Sequence, residues 1–194
     1  MKSEYSIHKS TKQMCAPLLY SHHYLTGISR GFKSGHNYGL YNNQSIVGCC
    51  IYTGLPVPEL AKGMFGLDRD KQEGLFELSR LVLKPEHQER EHNLASWFVA
   101  RTIKALRKDT TVKAILSYAD DDYHQGTVYR ALGFKYYGLT DAKSDFWIKQ
   151  PDGSYIKHNR GPTKHLDGEW RPRTRKHRFV KVFDKSLDMK WTEV

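Results

Sequence analysis

The chain has 194 residues, enough for one domain with a real core or one with a modest appendage, and too few for two ordinary domains. At 39% hydrophobic and 27% charged residues, with twelve tyrosines, it is a globular chain and not a disordered one. Its net charge of +10 is uneven, with five Lys/Arg against one acid over residues 1–50, fifteen against fifteen over 51–154, and eleven against five over 155–194.

No apolar run reaches bilayer length, and residues 1–15 lack the hydrophobic segment of a signal peptide, which predicts a cytoplasmic protein with no membrane partner. The first apolar pattern, Met14 to Tyr24, predicts a helix ending near Gly27, followed by a polar, Gly-rich segment to Asn37. YGLY (38–41) and SIVGCCIYTG (45–54) read as a hairpin turning at Asn42-Asn43. Cys15, Cys49 and Cys50 make neither a disulfide framework nor a zinc spacing and read as small buried residues. Leu55 to Gly74, with Pro56 and Pro58, reads as a long loop, and FELSRLVL (76–83) as a buried strand stopped by Pro85. From Asn93, a reasonable N-cap, Ala95, Val99, Ile103 and Leu106 share one helical face. Then come a strand AILSYA (114–119), a short helix over 126–134 stopped by Gly133, a strand KYYGL, and DFWIK and SYIKH around Pro151-Asp152-Gly153. A basic loop and a last strand, RFVKVF (178–183), close the chain. This order predicts an α/β fold around one mixed sheet. The expected division is a catalytic domain over 1–154 and a basic C-terminal extension over 155–194 packing on it.

Ligands of such sheets lie beyond the carboxyl ends of strands. Two strand ends qualify. After Leu83 a loop leads to the helix at Asn93, whose first-turn N–H groups and positive dipole end suit a pyrophosphate. After Ala119 comes Asp120-Asp121-Asp122, the densest acidic cluster of a basic chain.

The segment Phe76 to Arg107 and the later Tyr129-Arg-Ala-Leu-Gly133-Phe134 resemble the acyl-CoA-binding core of the GNAT N-acyltransferases. Arg90-Glu-His-Asn93-Leu-Ala95 matches that family's Arg/Gln-x-x-Gly-x-Gly/Ala loop except for Asn93 in place of a glycine, and Asn tolerates left-handed backbone. The resemblance implies acetyl-CoA or a related acyl-CoA held by Val82, Leu83, Arg90, Asn93, Leu94, Ala95, Ser96 and Tyr129. A narrower resemblance covers about 150 residues: HHYL (22–25), ELSRLVL (77–83), SYAD followed by His124-Gln-Gly126-Thr127-Val-Tyr129, and RKHRFVK (175–181) look like the Mom-type phage DNA modification proteins. It implies a GNAT-like enzyme that converts adenine in DNA to an N6-acetamido (carbamoylmethyl) form and protects phage DNA from restriction. Two other readings stand beside it: a GNAT acetyltransferase acting on a protein, RNA or small amine, and a non-enzymatic nucleic-acid-binding protein on the same scaffold.

Several residues carry two readings each. Asp120, at a buried strand end, is a general base for the reacting amine or a helix N-cap. Tyr129 protonates a leaving thiolate or fills core. His124 is a proton shuttle or a polar loop residue, and Ser117 orients substrate or bonds to backbone. Glu77, expected to share a strand face with Ser79 while Phe76, Leu78 and Arg80 share the other, either pairs with a cation or faces the cleft. His23 with Asp120 offers a possible iron site, although no local spacing supports one. For double-stranded DNA the expected contacts are Arg30, Lys33, Arg171, Arg173, Arg175, Lys176 and Arg178, with the target base flipped out onto Tyr118, Tyr123 or Trp147.

Overall fold

The structure, a computed structural model, describes residues 2–23, 32–158 and 161–194. A seven-stranded sheet is built from β1 (Tyr5–Lys9), β2 (His36–Asn42), β3 (Ser45–Gly54), β4 (Leu75–Leu83), β5 (Ala114–Asp120), β6 (Lys135–Leu139) and β10 (Lys176–Val182). Its order is β1-β2-β3-β4-β5-β10-β6, antiparallel throughout except for the parallel β4–β5 pair. A three-stranded antiparallel sheet joins β7 (Lys143–Lys149), β8 (Tyr155–Lys157) and β9 (Gly168–Arg173) in the order β8-β7-β9. The helices are α1 (Lys12–His22), α2 (Glu59–Phe65), α3 (Pro85–Arg90), α4 (Leu94–Asp109) and α5 (Thr127–Ala131).

The two sheet faces carry different cores. On one, Leu78, Ile115, Ala119 and Phe179 pack against Leu94, Phe98, Val99 and Leu106 of α4 and Tyr129 of α5, as the apolar spacing of α4 predicts. On the other, Leu75, Leu116 and Val180 pack against Ala61, Met64 and Phe65 of α2, and Cys49, Ile51 and Val82 against α1. All three cysteines are free and buried. No helix among the described residues is long and apolar enough to cross a membrane.

Several sequence expectations change. The hairpin turns at Asn43 and Gln44, both at positive φ (46° and 68°), so its two central residues have the left-handed pair of angles that suits the strand twist. The expected 55–74 loop contains α2, whose seven residues follow Pro58 directly, and the basic loop contains β9. α1 ends at His22, with His23 already extended; residues 24–31, including Arg30 and the expected helix end near Gly27, lie outside the described residues. β10, drawn from residues 155–194, is an interior strand between β5 and β6, and residue 154 falls in the turn between β7 and β8.

Gly126, preceding α5, sits at φ +73°, and an added Cβ there would stand 2.2 Å from Phe179 Cε2. Gly126→Ala therefore meets both a left-handed backbone and an overpacked core, at roughly 1–2 and 1–3 kcal/mol respectively. A clear fall in thermal midpoint is the expected result, and an unchanged midpoint would mean that the α5 entry relaxes freely.

Candidate active site

The parallel β4–β5 pairing runs only from Leu75↔Ala114 to Leu78↔Ser117, although both strands continue, β4 to Leu83 and β5 to Asp120. Beyond that pair the strands part. Ser117 marks the parting point: its Oγ donates to the Leu78 carbonyl across the last paired rung, 3.1 Å away. The structure thus gives Ser117 the backbone-bonded role and not a substrate contact.

A bulge adds to the split. Ile51 pairs with Arg80 and Tyr52 with Leu78, so Ser79 has no partner of its own on β3; its Oγ donates to the Ile51 carbonyl at 3.1 Å. The extra residue reverses the alternation of β4. Leu81 and Leu83 continue the α4-facing core of Leu78, whereas Val82 joins the α1 face. Arg80 consequently falls on the Glu77 side of the sheet, contrary to the simple period-two reading.

A cavity of about 260 Å³ occupies the split, lined by β4 from Leu78 to Leu83 and by Gln88, Ala95, His23, Tyr118, His124 and Tyr129. It draws residues from both sheet faces, so it passes through the sheet. α4 starts beside it. Asn93, at φ 59°, takes the left-handed conformation, and no side chain caps the first turn; capping by Asn93 is therefore not observed, whereas its tolerance of positive φ is. The open N–H groups of a sixteen-residue helix face anions favourably. Val82, Leu83 and Ala95 line the cavity, Leu94 is buried in the core beneath, and Ser96 Oγ donates back to the Asn93 carbonyl. Arg90 stands elsewhere, with its Nη2 3.0 Å from Tyr5 Oη and 3.1 Å from Glu4 Oε2. It ties α3 to the N-terminal strand and does not line the cavity, whereas Gln88, two residues earlier, does.

A second cavity of about 500 Å³ lies on the α2 face and shares Tyr118 with the first. Its walls include Glu77, Lys176, Arg178, Arg173, Lys143 and Trp191, with Pro56, Val57 and Leu60 at one side. Glu77 faces this cavity. Burial pushes its carboxyl up, against the opposing charges of Arg80, Lys176 and Lys33. Tyr118 is pushed up to about 12, first by burial and then by the Glu77 charge. Lys176 is pushed down by burial and by Arg173, while Asp120 and Glu77 hold it up.

Asp120 and Tyr129, expected to line one cleft, do not share a cavity. Asp120 is opposite Lys176 in the β5–β10 ladder, its Oδ1 accepts from Asp122 N–H at 3.3 Å, and it lines neither cavity. It caps the turn that follows β5 and stands as counter-charge to Lys176. Tyr129 lines the first cavity, its ring packed 5.3 Å from Phe179 and 5.7 Å from Phe134. His124 and His23 line the same cavity; desolvation lowers both, His23 to about 4, so that ring is neutral near pH 7. For the iron expectation, no group of three or more His, Cys, Asp or Glu among the described residues gathers as a metal site.

The basic residues divide. Arg173, Lys176 and Arg178 line the second cavity. Arg175 Nε donates to the Thr140 carbonyl at 2.7 Å, and Lys33 is exposed. Arg171 belongs to the small sheet, paired with Glu169 at 2.6 Å and stacked over Trp147 and Tyr155. Of the expected stacking rings, Tyr118 lies between the cavities, Tyr123 is exposed on the turn after β5, and Trp147 lies beneath Arg171. Trp191 was not legible from sequence, because nothing local ties an isolated C-terminal tryptophan to Glu77 and Tyr118, more than seventy residues earlier.

A split parallel pair with a helix N-terminus beside it is the GNAT arrangement, and solved structures agree on the fold. A GNAT family acetyltransferase from Elizabethkingia anophelis with acetyl-CoA bound superposes with a TM-score of 0.55 at 14% identity, covering 94% of this chain and 100% of that one. The ribosomal-protein-S18-alanine N-acetyltransferase from Escherichia coli gives 0.54 at 12% identity, over 93% and 94% of the two chains. The IAA acetyltransferase from Bacillus cereus gives 0.55 at 10% identity, over 92% and 99%. No curated protein matches the chain in sequence. The model of the Mom protein family matches residues 4–192, and the chain belongs to that family.

Proposed function

We propose that the protein is an acyl-CoA-dependent transferase that modifies the N6 amino group of adenine in DNA. The observation that carries this reading is the pair of cavities meeting at Tyr118 through the β4–β5 split, one beside a helix N-terminus and the other cationic around a desolvated carboxyl. Membership of the Mom family and the GNAT fold support it.

The residues of the first cavity fit an acyl-CoA. Val82, Leu83 and Ala95 offer an apolar slot, and the uncapped first turn of α4 offers N–H groups for a pyrophosphate. When bound, that group supplies an acyl unit activated as a thioester. The Tyr129 hydroxyl holds a proton in that cavity, and neutral His23 adds no positive charge there. In the second cavity Glu77 would take the proton that adenine N6 loses on bonding to the thioester carbonyl carbon, and the Tyr129 hydroxyl would protonate the thiolate released as the C–S bond breaks. Arg173, Lys176 and Arg178 hold the phosphates flanking the target, whose base leaves the stack to reach so enclosed a site.

Mass spectrometry of nucleosides from DNA of expressing cells tests this. A modified deoxyadenosine is expected, and its added mass separates an acetyl amide from a carbamoylmethyl group. Unmodified DNA together with acyl transfer to a peptide, an RNA or a small amine would replace the DNA reading with a general acetyltransferase.

A further inference from the structure

Residues 184–194 form no helix or strand, yet they are tied down at several points. Asp184 N–H donates to the Lys113 carbonyl at 3.1 Å, Lys190 N–H to the Met64 carbonyl at 2.7 Å, and Val194 N–H to the Tyr136 carbonyl at 3.1 Å. Leu187, Met189 and Trp191 pack against the α2-side core. The segment is a strap from β10 across α2 to β6, and it sets Trp191 in the wall of the second cavity. Arg178 lies over that ring with its guanidinium carbon 4.6 Å from the centroid, and the Tyr137 ring is 6.1 Å away.

We infer that the C-terminal strap makes the acceptor site specific for a nucleotide: the Arg178–Trp191 stack is the platform on which the extruded base lies. This rests on the DNA reading and narrows it to a mode of recognition. Chemistry favours a nucleotide over a basic peptide. Lys143, Arg173, Lys176 and Arg178 surround the cavity against only Glu77 and Asp141, so a lysine ammonium is repelled and a phosphate is attracted. A flat aromatic–guanidinium wall matches a purine, because bases stack on both groups regardless of their edge pattern. A cavity of about 500 Å³ has room for a nucleoside with its phosphate.

The test uses full-length protein labelled with 5-fluorotryptophan, whose four tryptophans give separate fluorine resonances, with Trp191→Phe identifying the one of interest. The probe is a duplex carrying an adenine the protein modifies, and the same duplex with an abasic site there. The Trp191 resonance is expected to move with the first and much less with the second. Trp191→Leu is expected to lower modification about 5- to 100-fold, the range for one base-stacking contact, while its thermal shift with acetyl-CoA stays that of the parent. If Trp191→Leu fails to fold, the parent's fluorine spectrum decides. A Trp191 signal unmoved by DNA that the parent does modify overturns the platform and leaves the DNA reading standing. A parent that modifies no DNA, with no signal moved, sinks both.

Discussion

Glu77→Gln is expected to lower DNA modification by about 10²- to 10⁴-fold, the usual contribution of a positioned base. The amide keeps the size and the neutral hydrogen-bonding of the protonated acid and cannot accept the N6 proton. Acetyl-CoA binding, read by thermal shift, should be unchanged, because the donor cavity does not include this residue. The pH dependence gives a sharper check. Burial raises the Glu77 carboxyl above its ordinary value of 4.5, so the basic form accumulates only as pH climbs through that raised value, and modification should rise with pH on this limb. The variant should lose the limb along with the rate. Stability moves the other way. Between 4.5 and the raised value the folded state binds more protons than the unfolded one, so the parent loses stability as pH rises through this window. Glu77→Gln escapes that loss and should melt at or above the parent at neutral pH, the pattern of a functional group that strains its fold. A variant that keeps full modification removes Glu77 from the chemistry, and one that melts far below the parent gives it a structural duty instead.

Legibility in the sequence followed the range of the interactions. β3 was readable from Ser45 to Gly54 because its apolar run is bounded by turn residues, and α4 because Ala95, Val99, Ile103 and Leu106 repeat at helical spacing. Both signals are local. α2 was hidden because seven residues after two prolines carry too few turns to display a period, and β9 because Pro172 and its charges read as loop, although an edge strand that pairs only with β7 tolerates both. The Ser79 bulge leaves no mark in composition, yet it decides that Arg80 joins the face of Glu77. Of the candidate site, Glu77, Lys176, Tyr129, Val82 and Leu83 were reached from the sequence. Arg90 was misassigned because Glu4 and Tyr5, which hold it, are over eighty residues away in sequence. The separation of Asp120 from Tyr129 follows from strand alternation at a split that no single segment encodes.

Lys176→Met distinguishes the two jobs given to the cations of the acceptor cavity. Lys176 is opposite Asp120 and lowers the Glu77 carboxyl by its charge, while its own ammonium is pushed down by burial and by Arg173. Methionine keeps the apolar stem and removes only that charge. The Glu77 carboxyl should then rise further, moving the acid limb of the pH–rate profile up and lowering the rate at any pH on that limb. Modification at high pH should recover, apart from weaker DNA binding, whose dependence on salt should flatten by about 0.9 in log–log slope for one phosphate contact removed. A flattened salt slope with an unmoved limb would make Lys176 a phosphate contact alone, and a moved limb with an unchanged slope would make it solely a tuner of Glu77. Combining it with Glu77→Gln assigns the limb. With the carboxyl gone, Lys176→Met has nothing left there to shift, so residual modification should show no displacement; a displacement that persists would take the limb, and the base role, away from Glu77.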